Sequence, residues 1–327
     1  GPFHRGRAWA HVERFVERSP RHVDPTCPHY DRCSGCALRH HSTADEAGYK
    51  LRAAGEILHK YGPETAALVP LDLVTTGVRS GHRTRGQMTV QVRDEQVHIG
   101  LRGLALDRKV TDVRDCPAQS PRWREAMGWL GEWLDAHVDE AERIETIDLR
   151  ESGHAVFVAP AGAPWTHTNP AAAQLLVAWT MEALVTSGSR TPTTTEGTVL
   201  DLCCGSGTLT RALVQRFDRV ISVDEDRAAT AAVHALGLGV EVRTGRLGAV
   251  LRKLRKEQVR AHSAVVNPMR RPLGRKQLGD LAHFGVERLV YLGPAAVSAA
   301  KDATELAAMG FHLERAAVID LHPATAQ

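Results

Sequence analysis

The sequence predicts an α/β protein in which a doubly wound parallel sheet follows a smaller α+β domain. Three observations predict it. From Asn169 onward, short apolar runs at 199–202, 220–223, 264–266 and 289–292 alternate with helical segments. Runs that short and continuous suit strands covered on both faces, and βαβ alternation implies a parallel sheet. Earlier in the chain, 70–115 and 145–159 have strand character, with an amphipathic helix between them. Finally, Gly205-Ser206-Gly207 follows the first apolar run of the second half, where a strand gives way to a helix.

Taken in order, residues 8–16 read as a single strand-like or helical piece that ends at Ser19-Pro20, too short to be a domain. A cysteine-rich loop spans 25–41. Residues 44–61 are expected to be helical, because Ala47, Leu51, Ala54 and Leu58 recur on one side. Thr89-Val90-Gln91-Val92 and Val97-His98-Ile99 flank Arg93-Asp94-Glu95-Gln96, which reads as a hairpin. Met127, Leu130, Leu134 and Val138 give 121–138 one apolar side, and a further helix is expected over 171–186. The Ser-, Thr- and Pro-rich 187–197 reads as a loop. There is no internal repeat and no low-complexity tract.

The chain has 327 residues, 43% hydrophobic and 24% charged, as expected for a two-domain globular protein. No apolar run is long enough to cross a membrane, and Arg5, Arg7 and Glu13 occupy the place of a signal-peptide core. A cytoplasmic monomer with no membrane partner is therefore expected. Net charge is +3, but residues 243–276 hold eleven Lys or Arg against Glu257 alone. That excess predicts a face for a polyanion, nucleic acid first.

Six cysteines are present. Cys27, Cys33 and Cys36 form a tight ligand loop that Cys116 can complete from a distance. Zinc and a [4Fe–4S] cluster both accept four thiolates. One triple plus one single suits the cluster better than the paired knuckles usual for zinc. In the second half, Asp201 precedes the glycine turn, and Asp224 follows Gly205 at the end of the next apolar run. An acid there can hold ribose hydroxyls. Thr210 stands where a nicotinamide fingerprint needs its third glycine, so S-adenosylmethionine is favoured over NAD. This loop resembles the first motif of class I methyltransferases.

Cys27-Pro28-His29-Tyr30-Asp31-Arg32-Cys33-Ser34-Gly35-Cys36, with Cys116-Pro117 downstream, resembles the iron–sulfur signature of the RNA uracil-5-methyltransferases, which act on 23S rRNA or tRNA. Ser19-Pro20-Arg21-His22-Val23 is similar to the segment that precedes it. The resemblance covers nearly the whole chain from about residue 12. It implies a remnant of an oligonucleotide-binding barrel over 1–25, a central α+β iron–sulfur and RNA-contacting domain over 26–165, and a Rossmann-like class I methyltransferase domain over 166–327. It also implies adenosylmethionine at Asp201, Gly205, Gly207 and Asp224, a cluster on Cys27, Cys33, Cys36 and Cys116, and an rRNA or tRNA partner.

Several positions depart from the family. His167, within Trp165-Thr166-His167-Thr168-Asn169-Pro170, replaces a glutamine that contacts cofactor or target base, and Arg246 replaces an acid near the adenine. Asn267-Pro268-Met269-Arg270 stands for Asp-Pro-Pro-Arg. Asp320-Leu321-His322-Pro323-Ala324-Thr325 resembles a C-terminal family motif, and the chain ends at Gln327 before the glutamate that serves there as base. Most consequential, 290–302 aligns on the segment bearing the catalytic cysteine and places Pro294 there. Uracil C5 attacks a sulfonium methyl only after a thiolate has added to C6, and proline has no nucleophile. Three expectations follow: RNA methylation at another atom, with His167 and Asn267 as candidate polar groups; a catalytically silent RNA-binding scaffold; or an enzyme with a different substrate.

Overall fold

The computed structural model describes residues 3–4, 7–8, 14, 16–103, 109–184, 197–268 and 271–325. Most of the expected 8–16 piece, the 187–196 loop, and Met269 and Arg270 lie outside the described residues. Two short strands, Phe3–His4 (β1) and Arg7–Ala8 (β2), pair antiparallel at the start.

The central region opens with Thr43–Tyr61 (α1), whose N-terminus is capped by Ser42 accepting from the Asp45 N–H at 3.1 Å. A 3-10 turn, Glu64–Leu68, leads to Leu71–Val74 (β3). Arg85–Arg93 (β4), Gln96–Arg102 (β5) and Val110–Asp112 (β6) follow. The β4–β5 turn is the expected hairpin. Asp94 and Glu95 take φ of 50° and 60°, the left-handed pair that a two-residue turn needs to match strand twist. Pro121–Ala136 (α2) starts at a Ser120 cap, and Val138–Ala141 (α3) extends it. Thr146–Ser152 (β7) and Ala155–Val158 (β8) complete an antiparallel sheet ordered β6-β5-β4-β7-β8. Trp123, fully buried under this sheet, donates its indole N–H to the Leu149 carbonyl at 2.9 Å.

The second half begins with Pro170–Ala183 (α4), capped by Asn169. Thr198–Leu202 (β9), Thr210–Leu213 (α5), Arg219–Asp224 (β10), Arg227–Ala235 (α6), Glu241–Thr244 (β11), Leu247–Lys256 (α7), Ser263–Val266 (β12), Gly274–Ala282 (α8), Arg288–Tyr291 (β13), Ala296–Ala308 (α9) and Ala316–Ile319 (β14) follow. Strands β11-β10-β9-β12-β13 form one parallel sheet in that order. Alternation sends neighbouring residues to opposite faces. Leu200, Leu202, Ala264 and Val266 meet Leu251 and Leu254 of α7, Leu278 and Leu281 of α8 and Leu306 of α9. Val199, Val220, Val265 and Val290 meet Leu184, Leu209 and Leu213 on the other face. This is the doubly wound parallel sheet that the apolar runs predict.

Among the described residues, β1 and β2 escape the sequence reading, and so do two strands of the second half. The strand β11, Glu241-Val242-Arg243-Thr244, sits at a sheet edge, where polar residues are tolerated and no apolar run is required. The last strand, β14, leaves the methyltransferase sheet and pairs in parallel with β3, Ala316 opposite Leu71 and Ile319 opposite Val74. This ties the expected 166–327 unit to the central region. Helix α1 also packs on α9.

Charge closes the same junction. Lys50 Nζ lies 2.8 Å from both Glu46 and Asp320, and Arg79 pairs with Glu46 at 3.0 Å. Glu46 also accepts from the Ala324 N–H at 2.6 Å. Glu46, Lys50 and Asp320 are all buried. Among the described residues, no helix is long and apolar enough to cross a membrane.

Removing one member of a buried ion network strands the others. Lys50→Ala should leave buried Asp320 without its cation and Glu46 with Arg79 alone, and lower stability by about 3–5 kcal/mol. Urea unfolding checks this; a change within about 0.5 kcal/mol, the range of ordinary surface substitutions, would mean that the junction does not need the network.

Candidate cofactor cleft and cysteine pocket

The cleft forms at the carboxyl ends of β9, β10 and β12, where open α/β sheets bind ligands. Cys203 leaves β9 with φ of 59°, a left-handed conformation unusual for a side-chain-bearing residue. Gly205 follows at φ 55°, and a Cβ built on it would meet nothing within 4 Å, so the turn borders open space. Gly207, at φ 87°, faces inward; a Cβ there would press on Leu236 and Val233 at 3.1 and 3.2 Å. The first glycine thus leaves room for a ligand, and the second lets the turn seat against α6.

Asp224 holds the turn from β10. Its carboxylate accepts from the Gly205 N–H at 2.8 Å and the Asp226 N–H at 2.9 Å. Asp201 lies fully buried beneath the turn and accepts from the Thr210 hydroxyl at 2.5 Å; its other oxygen has no partner. Burial, with Asp224 nearby, pushes the Asp201 carboxyl up to about 6. Asn267 stands at the end of β12, its N–H donating to Leu202 O at 3.0 Å, so it borders the same cleft edge. Arg246, exposed, begins α7 just beyond β11.

His167 reaches this region through a strap that the sequence did not reveal. Ser206 of the glycine turn donates to Trp165 O at 3.0 Å, and the Trp165 and His167 rings meet edge to face at 4.7 Å. Burial keeps the His167 imidazole below its usual pKa, favouring the neutral ring. The strap is positioned from the central sheet. Arg85 grips Asp148 with two bonds, at 3.0 and 2.8 Å, and donates to Thr166 O, while Arg150 donates to Pro164 O at 2.7 Å.

Pro294 lies exposed in the loop after β13, at the same sheet edge. Beside it, Tyr291 donates to Asp302 at 2.5 Å, and buried Asp302 accepts from the Leu273 and Gly274 N–H groups, fixing the start of α8. Sequence spacing gives no sign of this clamp, since eleven residues separate the tyrosine from its acid.

Cys27, Cys33, Cys36 and Cys116 line one pocket, together with His29, Tyr30, Arg39, Val113 and Pro117. Cys116 arrives there because its loop is stitched to 81–83: Gly81 N donates to Pro117 O and Arg83 N to Ala118 O, both at 2.9 Å. Gly35 N donates to Cys33 Sγ at 3.3 Å, and a Cβ at Gly35 would clash with Leu101 at 2.8 Å. Burial and the neighbouring cysteines push the Cys33 thiol up; Cys116 is raised by burial and Cys36, against opposing bonds from Ala118 and Gln119. Four thiols gathered this way resist joint ionisation unless a positive centre sits among them. Both ring nitrogens of His29 are buried without a partner. Among the described residues, no three His, Cys, Asp or Glu side chains are arranged to hold a single metal ion. Four thiolate donors are a set that either zinc or an iron–sulfur cluster accepts.

The basic segment does not make one face. Arg271, Arg275 and Lys276 lie exposed around the start of α8, at the cleft edge of the sheet. Arg252, Lys253, Arg255 and Lys256 occupy the last turns of α7, which runs back toward the start of β12. The parallel crossover carries them to the opposite edge.

Cys203 and Cys204 flank the cleft but are poor nucleophiles. Burial and then Asp224 and Asp201 push the Cys203 thiol up to about 12, and burial with the same acids raises Cys204 as well. At pH 8 iodoacetamide should alkylate Cys203 about a hundredfold or more slowly than a free thiol, with the rate still climbing above pH 9. Peptide mass spectrometry of a time course reads this; labelling at the free-thiol rate would contradict the assignment.

No family model matches the chain. The chain is 26% identical to the 23S rRNA (uracil(1939)-C(5))-methyltransferase RlmD of Dichelobacter nodosus, over 95% of this chain and 84% of that protein. It is 25% identical to the RlmD of Pseudomonas entomophila, over 97% of this chain and 81% of the relative. The crystal structure of Pyrococcus abyssi tRNA (uracil-54, C5)-methyltransferase with S-adenosyl-L-homocysteine superposes with a TM-score of 0.69 at 16% identity, covering 95% of this chain and 86% of that one. The chain is thus similar, over nearly its whole length, to the RNA uracil-C5-methyltransferases, on a class I methyltransferase fold.

Proposed function

We propose that this protein is an S-adenosylmethionine-dependent RNA methyltransferase that holds a [4Fe–4S] cluster and does not use a cysteine adduct. The observation that carries the reading is the open turn at Gly205, bordered by Asp224, Asp201 and Asn267. The RNA substrates of the relatives support RNA as the partner.

When bound, adenosylmethionine would supply an electrophilic methyl group. Gly205 admits it, Asp224 is placed for its ribose hydroxyls, and buried Asp201 favours its positive charge. Cys27, Cys33, Cys36 and Cys116 would hold the cluster, whose role is to stiffen the RNA-contacting region. At the expected nucleophile position Pro294 offers no thiol, and Cys203, pushed up to about 12, offers essentially no thiolate at neutral pH. Methyl transfer to a ring nitrogen, exocyclic amine or ribose hydroxyl needs positioning and a base rather than an adduct. His167, held neutral, and Asn267 are the polar groups at hand.

The sign of the Asp201 effect gives a pH test. In the free protein this carboxyl is neutral below about 6 and ionised above it. A cationic cofactor favours the ionised form, so binding releases a proton. Affinity by calorimetry should rise from pH 5 to 7 and then level off, and Asp201→Asn should flatten the profile. Affinity falling over that range would contradict the assignment.

Methyl transfer itself is tested with tritiated-methyl adenosylmethionine and RNA carrying tritium at uracil C5, in separate reactions on anaerobically purified protein. The expected outcome is methyl incorporation without tritium release from C5, with about four iron and four sulfide per chain. Release of C5 tritium would establish the adduct route. Cofactor binding with no incorporation into total RNA would favour the second reading, a silent RNA-binding scaffold, for which exposed Arg246 in place of the adenine-side acid is the supporting observation.

A further inference from the structure

We infer that Arg252, Lys253, Arg255, Lys256 and Arg260 form a second phosphate-binding surface, at the sheet edge opposite the cofactor cleft, which grips a remote part of the same RNA. The inference rests on the RNA reading above and adds where, and on what size of RNA, the protein acts.

All five side chains are exposed. Among the described residues none of them forms an ion pair; Arg260 only donates to the His283 carbonyl, at 2.8 Å. Two nearby acids are engaged by other arginines: Arg243 lies 2.5 Å from Glu241 and 3.2 Å from Glu257, and Arg219 lies 2.6 Å from Glu241. Exposed Glu287, whose N–H donates to the His262 carbonyl at 2.9 Å, is a further acid at this edge, against which the five cations remain in excess. Cations in a last helical turn complement the helix dipole, but that effect is confined to the turn and does not require Arg252 or Arg260. An anionic bilayer is a poorer occupant, because Val250, Leu251 and Leu254, the apolar side of α7, are buried against the sheet and unable to insert.

Position gives the patch its meaning. From Arg246 at the cleft edge to Lys256, α7 rises about 15 Å. Arg271, Arg275 and Lys276 remain at the cleft edge. One RNA touches both sets only if it spans this separation. A dinucleotide at the cleft reaches the first set alone. The distal patch then selects for longer RNA without reading its sequence, since binding to phosphates positions the RNA and does not specify its bases.

The test uses the full chain with Arg252→Gln, Lys253→Gln, Arg255→Gln and Lys256→Gln combined, all solvent-facing helix positions outside the cleft. Purified bacterial 23S rRNA and a dinucleotide serve as probes. For the long RNA, affinity should fall on the order of tenfold at 0.15 M salt, and the log–log salt slope should shrink by roughly 0.9 for each phosphate that is no longer neutralised. Dinucleotide affinity and adenosylmethionine affinity should stay unchanged. A variant that binds 23S rRNA like the wild type, or loses both RNAs equally, overturns the distal patch and leaves the RNA reading standing. Wild-type protein that binds neither RNA in a salt-dependent way overturns both.

Discussion

The buried ion network of Glu46, Lys50, Arg79 and Asp320 is the constraint on which the rest of the structure depends. It sits where β14 pairs with β3 and α1 packs on α9. Charges removed from water are tolerable only when each finds a partner, so the network demands one arrangement of the two regions. Arg79 extends the constraint toward the cysteine loop, donating to the His41 and Leu38 carbonyls at 2.6 and 2.8 Å. Cysteine pocket and methyltransferase sheet are thereby built on one frame.

The same logic operates at smaller scale around the cleft. Asp224 orders the glycine turn by accepting two backbone N–H groups, and Asp302 orders the start of α8 in the same manner. The strap bearing His167 is held by Ser206 on one side and by Arg85 and Arg150 on the other. The glycine turn, the start of α8 and the strap are each held by hydrogen bonds from or to neighbouring side chains, as a preorganised site requires. Burial, and after it the acids that shape the cleft, also suppress the thiols beside it.

The sequence reading was strongest where the chemistry is local. Four of the five strands of the parallel sheet were legible as apolar runs, because a strand covered on both faces must be apolar throughout. The glycine turn was legible because positive φ values restrict residue choice, and the Asp94-Glu95 hairpin because strand-like runs flank it. The edge strand β11 was not, since half of its hydrogen-bonding capacity faces water and its residues are polar. The strap and the Tyr291–Asp302 clamp were missed because they join residues whose spacing follows no helical or strand period.

By itself, the sequence determined the fold class, the glycine turn with its following acid, and the cysteine triple at 27, 33 and 36, since each depends on residues close along the chain. Only the tertiary structure decided that Cys116 joins that triple, that β14 deserts its own sheet for β3, and that a contiguous basic run divides between two edges. The reason is geometric. Chain spacing measures contour length, whereas burial, pairing and charge act through space, and a helix of ten residues is enough to carry its two ends to opposite sides of a sheet.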